Sequence, residues 1–255
     1  MMTNTPTNMN IHINMSANTE SNQEWHLRSV NAILRVLQFG DSLLPVGSFS
    51  FSNGLESAVQ LGVVHDPRSL GDFVRVVVEQ AAASDGVAVL SAFRAARAGK
   101  ESEIDQVDQT VFNRKLNEEM RTMTVRMGRK LGETADRVLG PCEASAWLER
   151  IKAGITPGCY PIGQALVFES LQLSEREAFA AHQYGLASML VNASLRLMKL
   201  HYLDAQSVLF KVNTHAEGDY QRIVSKSIED MSSFAPMIDV FAAAHVQARV
   251  RMFMN

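Results

Sequence analysis

The stretch SEREAFAAHQYGLASMLVNASLRLMKLH, residues 174–201, decides the fold class. Ser174 with Glu177 three residues on has the form of a capping box, in which each side chain satisfies the other residue's free backbone N–H. Phe179, Leu186, Met189, Leu190, Leu197 and Leu200 then recur at helical spacing. Tyr184 and Leu195 carry apolar surface beyond that stripe. A helix apolar on more than one side is covered on more than one side, so this one is expected to run through the interior of a helical domain.

The chain on either side repeats the pattern. Val30, Ile33, Leu34 and Leu37 form an apolar stripe that breaks at Gly40-Asp41-Ser42. Asp66-Pro67 reads as a helix start, because proline at the first turn loses no helical hydrogen bond. Leu70, Phe73, Val74, Val77 and Ala81 share the face that follows. Another helix is expected over about 85–98, ending at Gly99. Residues 103–127 read as one long helix, with Ile104, Val107 and Val111 as a seam that Met120, Met123 and Met127 continue. The methionines suit a core, where a flexible thioether fills gaps. Gly140-Pro141 and residues 156–161 are breaks around a short helix near 143–153, and 161–172 read helical again. Asp204 is the expected cap of a helix through Val208, Leu209 and Val212. Tyr220, Ile223, Val224 and Ile228 supply a further stripe. Pro236 opens the last helix, with Ile238, Phe241, Ala242 and His245 facing one way.

The expected architecture is therefore all-α: a single globular helical domain of about ten helices over residues 25–255. Alternating strands and crossover helices are missing from the pattern. The 28 alanines, against 15 glycines and 7 prolines, agree with it. Residues 1–24 are polar, rich in Asn and Thr, and are expected to be a disordered tail. The 255 residues carry 24 basic and 27 acidic side chains, a formal net charge of -3. Nucleic-acid binding needs a basic face, which such a balance does not suggest. No run is read as approaching the roughly 18 apolar residues of a membrane span. The first basic residue is Arg28, so neither a secretory signal nor a presequence is recognised, and a cytoplasmic location is expected.

The search for chemistry finds little. Gly99-Lys100 is followed by Glu101 and lacks the earlier glycine of a phosphate-binding loop. Cys142 and Cys159 are too few for a disulfide framework or a structural zinc site. His201 with Asp204, and His215 with Glu217, are loose pairs that chance readily produces. Ser48, Ser50 and Ser52 do not fit the GxSxG elbow, and no triad is asserted. No catalytic, cofactor-binding or metal residue is assigned. An all-helical enzyme, or a generic helical scaffold, remains the alternative.

Two features call for protein contacts instead. In LLPVGSFSFSNGLE, residues 43–56, breakers alternate with apolar residues. Gly47 and Gly54 are expected to supply positive backbone angles or close approach, and Phe49 and Leu55 to anchor the loop. The second feature is the ending, Arg251-Met252-Phe253-Met254-Asn255, apolar where termini usually fray. A partner groove, or the chain's own domain, would cover it.

These residues resemble a known family. Gln38 through Ser50, continued by Ser52-x-Gly54-Leu55-Glu56, is similar to the N-terminal signature of the urease accessory protein UreF family. His245 followed by Arg251-Met252-Phe253 resembles its closing pattern, with Met252 in place of Leu. The segments around Gly158-Cys159-Tyr160-Pro161 and Ser232-Ser233-Phe234-Ala235-Pro236 are also similar. The resemblance covers about residues 27–255. It implies an all-helical cytoplasmic homodimer without catalysis of its own. Its implied partners are UreD (also called UreH), the GTPase UreG and apo-urease. It implies chaperone-like help with nickel insertion during urease maturation. Nickel would be handled transiently by the complex, GTP would sit on UreG, and no cofactor would be bound stably. The partner-binding residues it suggests are Gly47, Gly54, Glu56, Tyr184, His245, Arg251, Met252 and Phe253, with Tyr184 at or beside the dimer interface.

Overall fold

A computed structural model describes residues 29–253 apart from 42, 49, 50, 233, 234 and 247–251. The expected polar tail, Phe49 and Arg251 lie outside the described residues. Those that are described form twelve α-helical segments and no extended strand.

Helix α9 (Glu175–Leu197) is the axis of the molecule. Ser174 Oγ accepts from Glu177 N at 3.2 Å, and Glu177 Oε2 accepts from Ser174 N at 2.7 Å. The capping box is formed as read. Around α9 pack α1 (Val30–Gly40), α2 (Leu55–Gln60), α3 (Pro67–Ala81), α4 (Val87–Arg97), α8 (Tyr160–Ser170), α10 (Tyr202–Asn213) and α11 (Ala216–Ile223). Most of its apolar residues are covered because several elements reach it, while Tyr184 and Leu195, the two outside the main stripe, stay exposed.

Asp66 caps α3 through Ser69, with Asp66 Oδ1 accepting from Ser69 N at 2.7 Å. A π-helical turn, Ala82–Gly86, joins α3 to α4 without a break. The resulting 31-residue helix is long and apolar enough to cross a membrane by length and composition, which revises the reading that no run approaches that size. Its most apolar window is 61% buried, and α3 and α4 pack on α5, α8, α9 and α10, so the apolar surface is taken up inside the protein.

The single helix expected over 103–127 is two. Here α5 (Glu101–Arg114) ends at Lys115, and α6 (Glu118–Leu139) starts afresh. Asn117 caps the new start, its Oδ1 accepting from Glu119 N at 2.7 Å. Asparagine before two glutamates is an N-terminal signal that the continuous apolar seam obscured. After α7 (Glu143–Lys152), the turn at 156–159 is held by Asp108 of α5. The fully buried Asp108 carboxylate accepts from Trp147 Nε1 (3.1 Å), Thr156 Oγ1 (2.7 Å), Gly158 N (2.9 Å) and Cys159 N (2.8 Å). Four donors satisfy its lone pairs, which is what allows a carboxylate so deep in the core. His201, rather than Asp204, is the N-cap of α10: its ring nitrogen accepts from Leu203 N at 3.3 Å. The last helix, α12 (Pro236–Val246), begins at Pro236 as expected. Both cysteines are free.

Candidate functional site

Helix α1 exposes the stripe that its sequence marks as apolar. Val30, Ile33, Leu34 and Leu37 are all half exposed or more, while Ala32, Val36 and Phe39 on the opposite side pack inward. Together these four residues form an exposed apolar stripe on α1. Tyr184, on α9, is 44% exposed. It stands one residue from Gly185, where α1 crosses close: a Cβ on Gly40 would come to 3.1 Å from Ala181 Cβ.

The loop after α1 turns back on itself. Asp41 Oδ1 accepts from Leu43 N at 2.8 Å, and Asp41 O accepts from Leu44 N at 3.0 Å. Val46 and Leu55 are buried, and Leu43 points outward. Gly47 and Gly54 both have positive φ, 93° and 81°, as the sequence suggests. Gly54 also admits α12: a Cβ there would lie 3.1 Å from Phe241 Cβ and Ala242 N and 3.2 Å from Ile238 O. Its requirement is met inside the chain.

Glu56, first turn of α2, is 2% exposed. Its Oε1 accepts from Met252 N at 2.8 Å and its Oε2 from Phe253 N at 3.0 Å. A carboxylate straddling two successive amides is a strong, oriented contact. Phe253 is 4% exposed and joins the apolar cluster of Leu55, Ile238 and Phe241. The Arg196 guanidinium stands 4.0 Å from the centre of its ring. Of the two expected covers for the apolar ending, Phe253 has the chain's own domain, while Met252 beside it is 60% exposed. His245 lies in α12 with its side chain outside the described atoms, and Arg251 is not described.

Beneath the loop and α12 is a cavity of about 130 Å³. Asp41, Ser48 and Asn53 of the loop, the π turn, the α5–α6 junction, the start of α8, α9 and α12 all contribute to its wall. Met120, Met123, Met127, Met189 and Met231 are prominent in its apolar part. Its polar part includes an ion pair and the buried side chains of Asn53 and His182. Lys115 Nζ lies 2.7 Å from both Asp85 carboxylate oxygens. Among the described residues, the Nδ1 of His182 and the Oδ1 of Asn53, both on residues 6% exposed, have no hydrogen-bond partner. Burial lowers the His182 pKa, with Asp85 opposing. Burial pushes Tyr160 up to about 12 and raises Asp239. Sequence reading found no converging polar residues, because these come from six separate elements with no shared spacing. The capping signal at Asn117, which places Lys115 in a connection, was the clue available. Among the described residues no group of three or more His, Cys, Asp or Glu side chains is arranged to hold a metal ion.

The profile of the UreF family matches residues 64–213. The chain is 49% identical over 228 residues to a protein of Brucella canis named urease accessory protein UreF 2, covering 89% of this chain and 94% of that one. The chain belongs to the UreF family. A Photorhabdus laumondii member, named urease accessory protein UreF, is 46% identical over 223 residues, 88% of this chain and 98% of its own. A Yersinia pseudotuberculosis member matches at the same identity and coverage. Membership makes this chain a urease maturation factor, and the all-helical fold agrees with the resemblance read from the loop and tail. The matched profile spans α3 to α10, so the family core includes the π turn, the Asp108 hub and the axis α9.

Proposed function

We propose that this chain is a cytoplasmic, non-catalytic homodimer that joins UreD (UreH), the GTPase UreG and apo-urease, and that the assembly inserts nickel into urease at the expense of GTP. The observation that carries this reading is the 46–49% identity to urease accessory proteins along almost their whole length. Nickel is cargo here, and GTP belongs to UreG, whose nucleotide loop this sequence does not contain. The exposed stripe of α1 and the half-exposed Tyr184 offer the apolar surface that assembly needs, and Met252 and the loop around Gly47 lie near the ends of the chain that the family signature marks.

Deletion of the gene in its native host tests the reading. Urease subunits at normal levels but without activity, partly restored by excess nickel, are the expected result. Unchanged urease activity overturns it.

A further inference from the structure

We propose that the cavity is a binding site for a soft monovalent cation of the Cu(I) class, held by methionine thioethers and the Nδ1 of His182. This inference concerns the chain by itself and does not rest on its role with urease.

The methionine stripe that the sequence marks as core turns out to face a cavity. Met120, Met123 and Met127 lie on one face of α6, and all three line it. Met189 of α9 and Met231, directly after the 3₁₀ turn Ile228–Asp230, line it from two other elements. Gap filling spreads methionines through a core. Here five of the nine beyond Arg28 line one cavity. Met231 is fixed in place by its backbone: its carbonyl accepts from Arg114 Nη1, and Ser232 N next to it donates to Ala83 O at 3.0 Å. The cavity holds about 130 Å³, and thioethers on three rotatable bonds can reach across a space of that size.

The second observation is His182. It stands seven residues before Met189, on the same face of α9, and also lines the cavity. The residue is 6% exposed, and among the described residues its Nδ1 has no hydrogen-bond partner. Burial disfavours the protonated ring, which leaves a nitrogen lone pair for a metal.

The charge of the wall decides the class of ion. Its described residues include three carboxylates, Asp41, Asp85 and Asp239, and two cations, Arg114 and Lys115, a formal charge of -1. Lys115 Nζ is held 2.7 Å from both Asp85 oxygens, so the ammonium is already paired. Such a wall balances one positive charge. Divalent borderline ions favour thiolate, imidazole and carboxylate together, and no group of three such side chains exists among the described residues. Thioether and imidazole are neutral, and the thioether is soft, which selects Cu(I).

Methionine methyl signals test this. Full-length protein carrying Cys142→Ser keeps only the fully buried Cys159 as a thiol. It is labelled with carbon-13 at the methionine ε-methyls and titrated without oxygen with Cu(I), and separately with Ag(I) as a redox-inert stand-in. One equivalent of either ion is expected to shift the methyls of the cavity methionines, assigned by single Met→Leu changes. Met198 and Met237, which do not line the cavity, are expected to keep their signals. Zn(II) at the same level is expected to move none of them. Met123→Leu combined with Met189→Leu, which nearly conserves volume, and His182→Gln by itself, should each weaken Cu(I) about tenfold or more in competition with bicinchoninate. Cavity methyls that stay unshifted, or shifts confined to Met1, Met2, Met9 and Met15, overturn the site. An equal response to Zn(II) overturns the soft-ion assignment. Folded variants that keep the full affinity overturn the named donors. Should a variant fail to fold, the methyl shifts of the parent protein decide.

Discussion

Gly128, in the middle of α6, has no side chain because backbone occupies its place. A Cβ there would lie 2.1 Å from Gly158 O and 2.8 Å from Cys159 C. The obstructing turn is fixed by three hydrogen bonds to Asp108, so it cannot retreat without breaking a buried network. Gly128→Ala is expected to destabilise the protein by about 3 kcal/mol or more, in the range that overpacking against rigid neighbours produces. Gly132, one turn on, provides the control. A Cβ there meets only Leu148 and Trp147 side-chain atoms at 3.4–3.5 Å, an ordinary contact. Gly132→Ala is expected to be neutral or to stabilise by up to about 1 kcal/mol, since alanine favours the helix. Urea unfolding of both variants measures the contrast, and equal losses in the two would refute the argument. Neither effect is visible from composition, because glycine within a helix looks alike at both positions.

At the scale of elements, α9 shows local rules and packing in agreement. The Ser174–Glu177 box starts it, and seven neighbours cover it. Ser174→Ala removes the acceptor for Glu177 N and should lower stability by about 1 kcal/mol, read from the denaturant midpoint. A smaller shift than a few tenths would show that packing alone sets the start of the helix. The α5–α6 junction shows the opposite case. Its apolar seam continues through Lys115–Asn117 on paper, yet the helix breaks there. Lys115 is drawn to Asp85 of the π turn, and Arg121 Nε donates to the Lys115 carbonyl at 2.6 Å. Periodicity cannot register a contact with a residue 30 positions away. Helix α1 differs again: its stripe was legible, but the side it faces was not, because an apolar stripe reads the same whether it meets its own core or another molecule.

At the scale of the whole molecule, acid is expected to act through His182. Its pKa is lowered in the folded protein by burial. Below the ordinary histidine value of 6.5 the unfolded chain takes up a proton that the buried ring refuses. The unfolded state then binds more protons, so stability falls as the pH drops through that value. Wild-type protein should lose more thermal stability between about pH 7.5 and 5.5 than His182→Gln does, since the variant has no such group. Equal losses would exclude His182 as a source. Assembly is the second property at this scale. Tyr184 is an aromatic side chain left 44% exposed on the central helix, the kind that anchors interfaces. Tyr184→Asp is expected to shift the protein toward monomer in size exclusion with light scattering while leaving helical content intact. An unchanged dimer, or a wild-type protein that is already monomeric at micromolar concentration, contradicts it.

The helical class, the capping boxes at Ser174 and Asp66, and the left-handed glycines Gly47 and Gly54 were fixed by the sequence itself. They depend on residues within four positions of one another, where side-chain chemistry and backbone sterics act directly. The loop signature and the tail also carried the family. The tertiary structure alone decided what meets what across the chain: Glu56 with Met252 and Phe253, Asp108 with the 156–159 turn, Lys115 with Asp85, and His182 with the cavity wall. Each joins residues 30 to 197 positions apart, or places one between several helices. Burial and pairing at that range follow from how the helices pack, and no local pattern encodes which of the chemically similar side chains will be brought together.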